Sequence, residues 1–204
     1  MKERRRGLGG VAGLMPMTSA EAALTRELEI FRQEAEAGAQ FFYSYLAVHE
    51  LAKRQRRVFR MLDENALFWN TTLGGLQTGA TMALGRIFDH QSPHNINTFV
   101  RLTGQHRTIF TKTALARRKQ GPTPEDFRRL NEDVKKYRRL YEEHYRDVCN
   151  RLYAHKQAAD PAAVAALVKY TSIRDLQRRF TFLLQLHETL RELFYNGTKP
   201  VLRP

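Results

Sequence analysis

The chain has 204 residues, 42% of them hydrophobic, which suits one domain with a real core. Its 34 basic against 21 acidic residues give +13 at pH 7, pointing toward nucleic acid, another polyanion or an acidic protein as partner. The single cysteine excludes an intramolecular disulfide framework and a multi-thiolate zinc site, and fits a reducing, cytoplasmic compartment.

Residues 1–17, "MKERRRGLGGVAGLMPM", read as a disordered basic tail, because a signal peptide needs a longer apolar run and a small-residue cleavage site. Thr18 and Glu21 have the spacing of a capping box and open a helix. Apolar residues follow at helical steps through Leu24, Leu28, Phe31, Ala35, Phe42 and Tyr45. "KRQRRVFR", residues 53–60, is a basic cluster at the junction with the next helix. That second helix presents Trp69, Leu73, Leu76, Ala80, Ala83 and Ile87. Its glycines Gly74, Gly75, Gly79 and Gly85 cost helix propensity, which close packing against another backbone would explain. Although very apolar, this stretch is interrupted by Asn70, Gln77 and several threonines, so a helix among helices is expected, with no membrane span.

An irregular middle is expected from Asp89 to "KQGP". Thr123-Pro124 then starts a helix whose stripe runs from Phe127 to Leu152. A short Ala/Val-rich helix follows "HKQAADP". The last long helix carries Ile173, Leu176, Phe180, Leu183, His187, Leu190 and Phe194 and stops near Asn196-Gly197. Nothing alternates like a strand. The expectation is an all-α bundle of four long antiparallel helices plus short ones, in one domain over residues 18–197 with a tail at 198–204.

Chemistry is narrowed by elimination. No histidine has an acid three residues before it, so the Glu-x-x-His pairs of a bundle metal site are absent. No phosphate-binding glycine loop with a following lysine occurs, and no metal or other cofactor is expected. What remains is "RDVCNRLYAHK", residues 146–156, where His155 follows Arg146, Cys149, Asn150 and Arg151. A histidine titrating near neutrality can shuttle a proton, and an adjacent arginine can hold a phosphate. RNA carries its own nucleophile, the ribose 2′-hydroxyl, so such a pair suffices for cleavage without a metal. The plainer reading of His155 is a helix-end residue favouring the negative pole of the helix. Cys149 alone is more often a small apolar filler than a nucleophile.

Two stretches resemble the HEPN superfamily of small helical bundles, especially its abortive-infection (AbiU2-like) branch. "FWNTTLGGLQTGATMALGRIFD", residues 68–89, is similar to that branch's central helix, and "NRLYAHK", residues 150–156, to the end of its active-site helix. The resemblance spans roughly residues 20–195 and implies a homodimer in which paired Arg-x(4–6)-His motifs form one cleft that cuts RNA without metal. It further implies a toxin or phage-defence role, with an antitoxin or defence-system protein as a further partner. With His155 as the motif histidine, the arginine belongs at Val148, Cys149 or Asn150. If Asn150 is the family's polar residue, Cys149 stands in the arginine's place.

At about 100° per residue, Arg151 lies about 40° from His155 and is the natural substitute phosphate clamp, with Arg146 serving only across an interface or after the helix ends. Asn150 becomes a positioning donor. Arg86 and Asp89 support the cleft under the resemblance and are otherwise a helical i,i+3 ion pair. Lys156, Arg54, Arg56 and Arg57 (with Lys53 and Arg60) steer RNA if they share the face of His155. The alternative is a non-catalytic HEPN bundle that binds RNA or a partner protein.

Overall fold

The computed structural model describes residues 18–110, 122–155 and 160–196. The two tails lie outside the described residues, and so does Lys156. Among the described residues the chain is helical with no strand. Its elements are α1 (Ser19–Arg54), α2 (Arg56–Glu64), α3 (Ala66–Phe88), α4 (Ile96–Gln105), a 3₁₀ turn (Arg107–Phe110), α5 (Pro124–His144), a π-helix (Val148–Ala154), α6 (Pro161–Val168) and α7 (Ile173–Asn196).

Local chemistry sets the helix starts. Thr18 accepts from Glu21 N while the Glu21 carboxylate accepts from Thr18 N at 2.8 Å. Thr123 and Asp126 repeat this box at the head of α5, with Pro124 in the first turn. Each box satisfies donors that the first turn leaves unpaired.

α1 packs along α3 and α7, and the π-helix and α4 close over α3 and α1. The core sits where all of these meet: Leu24, Phe31, Ala35 and Phe42 of α1, Leu84 and Phe88 of α3, Val134 and Tyr141 of α5, and Phe180, Leu183 and Leu190 of α7. Gly38 permits one of the tight approaches. A Cβ there would lie 2.6 Å from Phe180 Cε1 and 2.8 Å from Ala83 Cβ.

Within the expected irregular middle, Ile96–Gln105 is an α-helix and Arg107–Phe110 a 3₁₀ turn, and residues 111–121 lie outside the described residues. Asn95 caps α4 by accepting from the Asn97 and Thr98 amides, and donates to Ser92 O at 2.6 Å. Ile96, Phe99, Val100, Ile109 and Phe110 then bury into the core, so tertiary burial stabilises a segment of weak periodicity. The stripe running to Leu152 also breaks: α5 ends at His144 with Tyr145 as its C-cap, and the chain continues as the π-helix.

One end of the bundle stands clear of this core. Residues 43–54 of α1, all of α2 and residues 66–79 of α3 contain no buried side chain. They form a helical hairpin whose outer faces meet nothing among the described residues.

Candidate functional site

The π-helix is anchored from below. Tyr145, just before it, is 2% exposed; its hydroxyl donates to Ser172 O at 3.3 Å, and the buried Arg179 guanidinium lies 4.4 Å over its ring. Val148 and Cys149 point inward and Arg151 outward. The Cys149 thiol donates to Thr81 O of α3 at 3.4 Å, and burial pushes it up to about 11, so it stays protonated at neutral pH. The position corresponding to the motif arginine therefore carries a neutral, buried group.

Its neighbour Tyr141 is as deeply buried, stacks on Phe88, and has its phenol raised well above the usual value, chiefly by burial. The Tyr141 hydroxyl has no hydrogen-bond partner of good geometry among the described residues. The pair packs against α3 at Gly85, where a Cβ would lie in ordinary contact, 3.7 Å from the Tyr141 hydroxyl and 3.9 Å from Cys149 Cβ.

His155 terminates the π-helix as its C-cap, exposed, with its N–H donating to Asn150 O at 3.0 Å. This changes the angular argument from sequence, which assumed α geometry. Hydrogen bonding from i to i+5 widens the turn, so Asn150 joins Arg151 one turn before His155. A π turn at a helix end is a recurrent feature of functional sites. Arg146 and Arg151 are both exposed, and neither has an acidic partner within 4 Å among the described residues.

Beside this end lies a cleft of about 440 Å³ between α1, the end of α3 and the π-helix, lined by Glu34, Arg86, Asp89, His94, Cys149 and Asn150 among others. Three of the site residues inferred from sequence meet here: Arg86, Asp89 and Asn150. His155, Arg151 and Arg146 do not line it. The i,i+3 ion pair expected between Arg86 and Asp89 is absent, because Arg86 reaches across to Glu34 at 2.8 Å. A helix partner three residues on competes here with a carboxylate on the facing helix, and the inter-helix geometry wins.

Sequence reasoning missed Glu34 and the His94–Glu27 contact at 3.0 Å. The only signal was a histidine directly after the helix-ending Ser92-Pro93. Arg54, Arg56 and Arg57 are exposed at the hairpin tip, at the α1–α2 junction. His187 is buried on α7 as its apolar stripe suggested.

Among the described residues no group of three or more His, Cys, Asp or Glu side chains is placed to hold a metal ion. No helix there is long and apolar enough to cross a membrane. No curated protein and no solved structure matches the chain. A family model does: HEPN_AbiU2, described as AbiU2, matches residues 21–202, and the all-α bundle agrees with it. The chain belongs to the HEPN_AbiU2 family, an abortive-infection-related branch of the HEPN superfamily.

Proposed function

We propose that the protein is a metal-independent endoribonuclease acting in phage defence or as a toxin. The observation that carries this reading is the exposed His155 on a chain end that also presents Arg151 and Arg146 without acidic partners among the described residues. An unpaired guanidinium is available to a phosphate, whereas Arg32, Arg128, Arg138 and Arg191 are each tied to a glutamate three or four residues away.

In the reaction His155 takes the proton of a ribose 2′-hydroxyl, whose oxygen bonds to the adjacent phosphorus as the bond to the 5′-oxygen breaks. Arg151 holds the non-bridging oxygens and stabilises the charge that grows on them. Asn150 donates a positioning hydrogen bond. In a homodimer the partner's imidazole returns a proton to the leaving 5′-oxygen, so the products are a 2′,3′-cyclic phosphate and a 5′-hydroxyl.

Purified protein in EDTA is expected to cut single-stranded RNA into such fragments. His155→Ala should lower the rate by about 10²–10⁴-fold, and undiminished cleavage in that variant removes His155 from the mechanism.

A second reading has its own support in the neutral, buried thiol of Cys149 at the arginine's place. Under it the bundle binds RNA or a partner protein without cutting. RNA binding that weakens steeply with salt and yields no product selects the RNA version. Absence of salt-dependent RNA binding selects a protein partner, such as an antitoxin.

A further inference from the structure

A second pocket opens beneath the π-helix, between α1, α3 and the turn that joins α6 to α7. Its floor is buried: Phe42 of α1, Ala80 and Thr81 of α3, Tyr145 at the break after α5, and Val148 of the π-helix. Its mouth lies at Gln77, Ser172 and Ile173, which are exposed. The space measures about 190 Å³. Close-packed interiors leave few voids larger than a water molecule, so a hollow of this size is a feature to be explained. Small side chains create it. Ala80, Thr81, Val148 and Val168 stand where larger residues would close the gap.

The walls determine which occupant fits. Among the described residues no charged side chain lines the pocket. A charged molecule would lose hydration there and gain no counter-ion, so the occupant is neutral. The buried Arg179 is no substitute, being committed to Tyr137 O at 3.1 Å and to the face of the Tyr145 ring. Most polar groups at hand are already bonded. The Thr81 hydroxyl donates to Gln77 O and that of Thr171 to Val168 O, each at 2.8 Å. The Tyr145 hydroxyl donates to Ser172 O and accepts from Ser172 N, both at 3.3 Å.

What stays open is a pair of phenols on the walls. The Tyr45 and Tyr153 hydroxyls have no hydrogen-bond partner among the described residues. Burial raises the Tyr153 pKa, so this hydroxyl keeps its proton and remains a donor. A floor carrying the Phe42 and Tyr145 rings favours an aromatic body, and two phenols favour a polar group at its edge. A cavity of about 150 Å³ holds benzene, so one ring with a small substituent fills this one.

We propose that this pocket binds a small neutral aromatic molecule bearing one hydroxyl or amide. Because Tyr145, Val148 and Tyr153 all line it, the occupant also braces the π-helix that ends at His155. Occupancy then sets how firmly the candidate site is held. The binding itself does not depend on the ribonuclease reading.

The probe is p-cresol, one ring with one hydroxyl. Titrated into the isotope-labelled full chain, it should shift the amides of Val148, Tyr153 and Thr171 saturably, with a Kd on the order of 0.1–1 mM for so few atoms. Near saturation, hydrogen exchange of the Val148–Ala154 amides should slow by about threefold or more. The compound para-hydroxybenzoate puts a carboxylate on the same ring and should bind about tenfold more weakly or worse. The double variant Tyr45→Phe, Tyr153→Phe keeps the shape without the two hydroxyls and should weaken p-cresol by about five- to tenfold. Val168→Trp fills the hollow from a half-buried wall and should abolish binding; if it does not fold, the double variant decides. The proposal is overturned by the absence of saturable shifts, by shifts confined to residues away from the pocket, or by equal affinity in the double variant. Equal binding of para-hydroxybenzoate overturns it as well. Unchanged exchange at saturating p-cresol refutes the bracing of the π-helix.

Discussion

The two parts of α3 both carry large apolar side chains and have opposite surroundings. From Ala80 to Phe88 the helix buries Ala80, Thr81, Ala83, Leu84, Ile87 and Phe88, under α1, the π-helix and their neighbours. From Ala66 to Gly79 no residue is fully buried: Leu67 and Phe68 are exposed, and Trp69, Leu73 and Leu76 are half-buried. A helix's apolar content therefore does not report what its own chain will cover. The covering elements decide: the π-helix, α5 and α7 reach only one end of the α1–α3 pair. The other end keeps the apolar surface of a core helix without its neighbours, and an exposed apolar face of this kind marks an interaction site.

The sharpest way to break this comparison is truncation of one leucine in each half. Leu84 is fully buried, and Leu84→Ala should cost about 2–5 kcal/mol through lost burial and the cavity left behind. Leu67→Ala should change protomer stability by no more than about 0.5 kcal/mol. Urea unfolding in the otherwise wild-type background, at one protein concentration, compares the two. Comparable losses at both positions mean that Leu67 is covered within the protomer.

A pair of glycines gives a smaller contrast of opposite sign. Gly38→Ala drives a methyl into the Phe180 ring and Ala83, both immobile in the core, and should destabilise by about 1–3 kcal/mol. Gly74→Ala meets open space and gains helix propensity, so it should stabilise the protomer by up to about 1 kcal/mol. Thermal melts of both variants in the same background test the pair. A destabilising Gly74→Ala shows that something inside the protomer already approaches that backbone.

What the sequence made legible follows the range of the interactions involved. The long helices and the capping boxes at Thr18 and Thr123 were readable because capping and periodicity act within a few residues. α4 was not, because its stability comes from burying Ile96, Phe99 and Val100 against residues far away in the chain. The π-helix was not, because a shift from i+4 to i+5 bonding leaves no mark in the apolar pattern. At the site, the identities of Arg86, Asp89 and Asn150 were legible and their meeting in one cleft fits the order of the two HEPN-like stretches. The Arg86–Glu34 ion pair joins positions 52 apart, and nothing local announces it.

The smallest expected effect concerns pH and belongs to the packed half alone. His187 is buried on α7, and its pKa is lowered chiefly by burial, with Glu36 and Glu188 acting against the shift and Arg32 and Arg191 reinforcing it. Its neutral form is favoured in the fold, so below the ordinary histidine value near 6.5 the unfolded chain binds the proton more readily. Stability should consequently fall as pH drops from 6.5 toward the lowered folded-state value, and level off with respect to this group below it. His187→Gln removes the titration while keeping a polar side chain of similar length. Its unfolding free energy should decline less steeply than that of wild type between pH 6.5 and 5, even if it is lower at pH 7.5. Parallel pH profiles mean that the ring is hydrated in the folded state and that solvent enters the packed half as well.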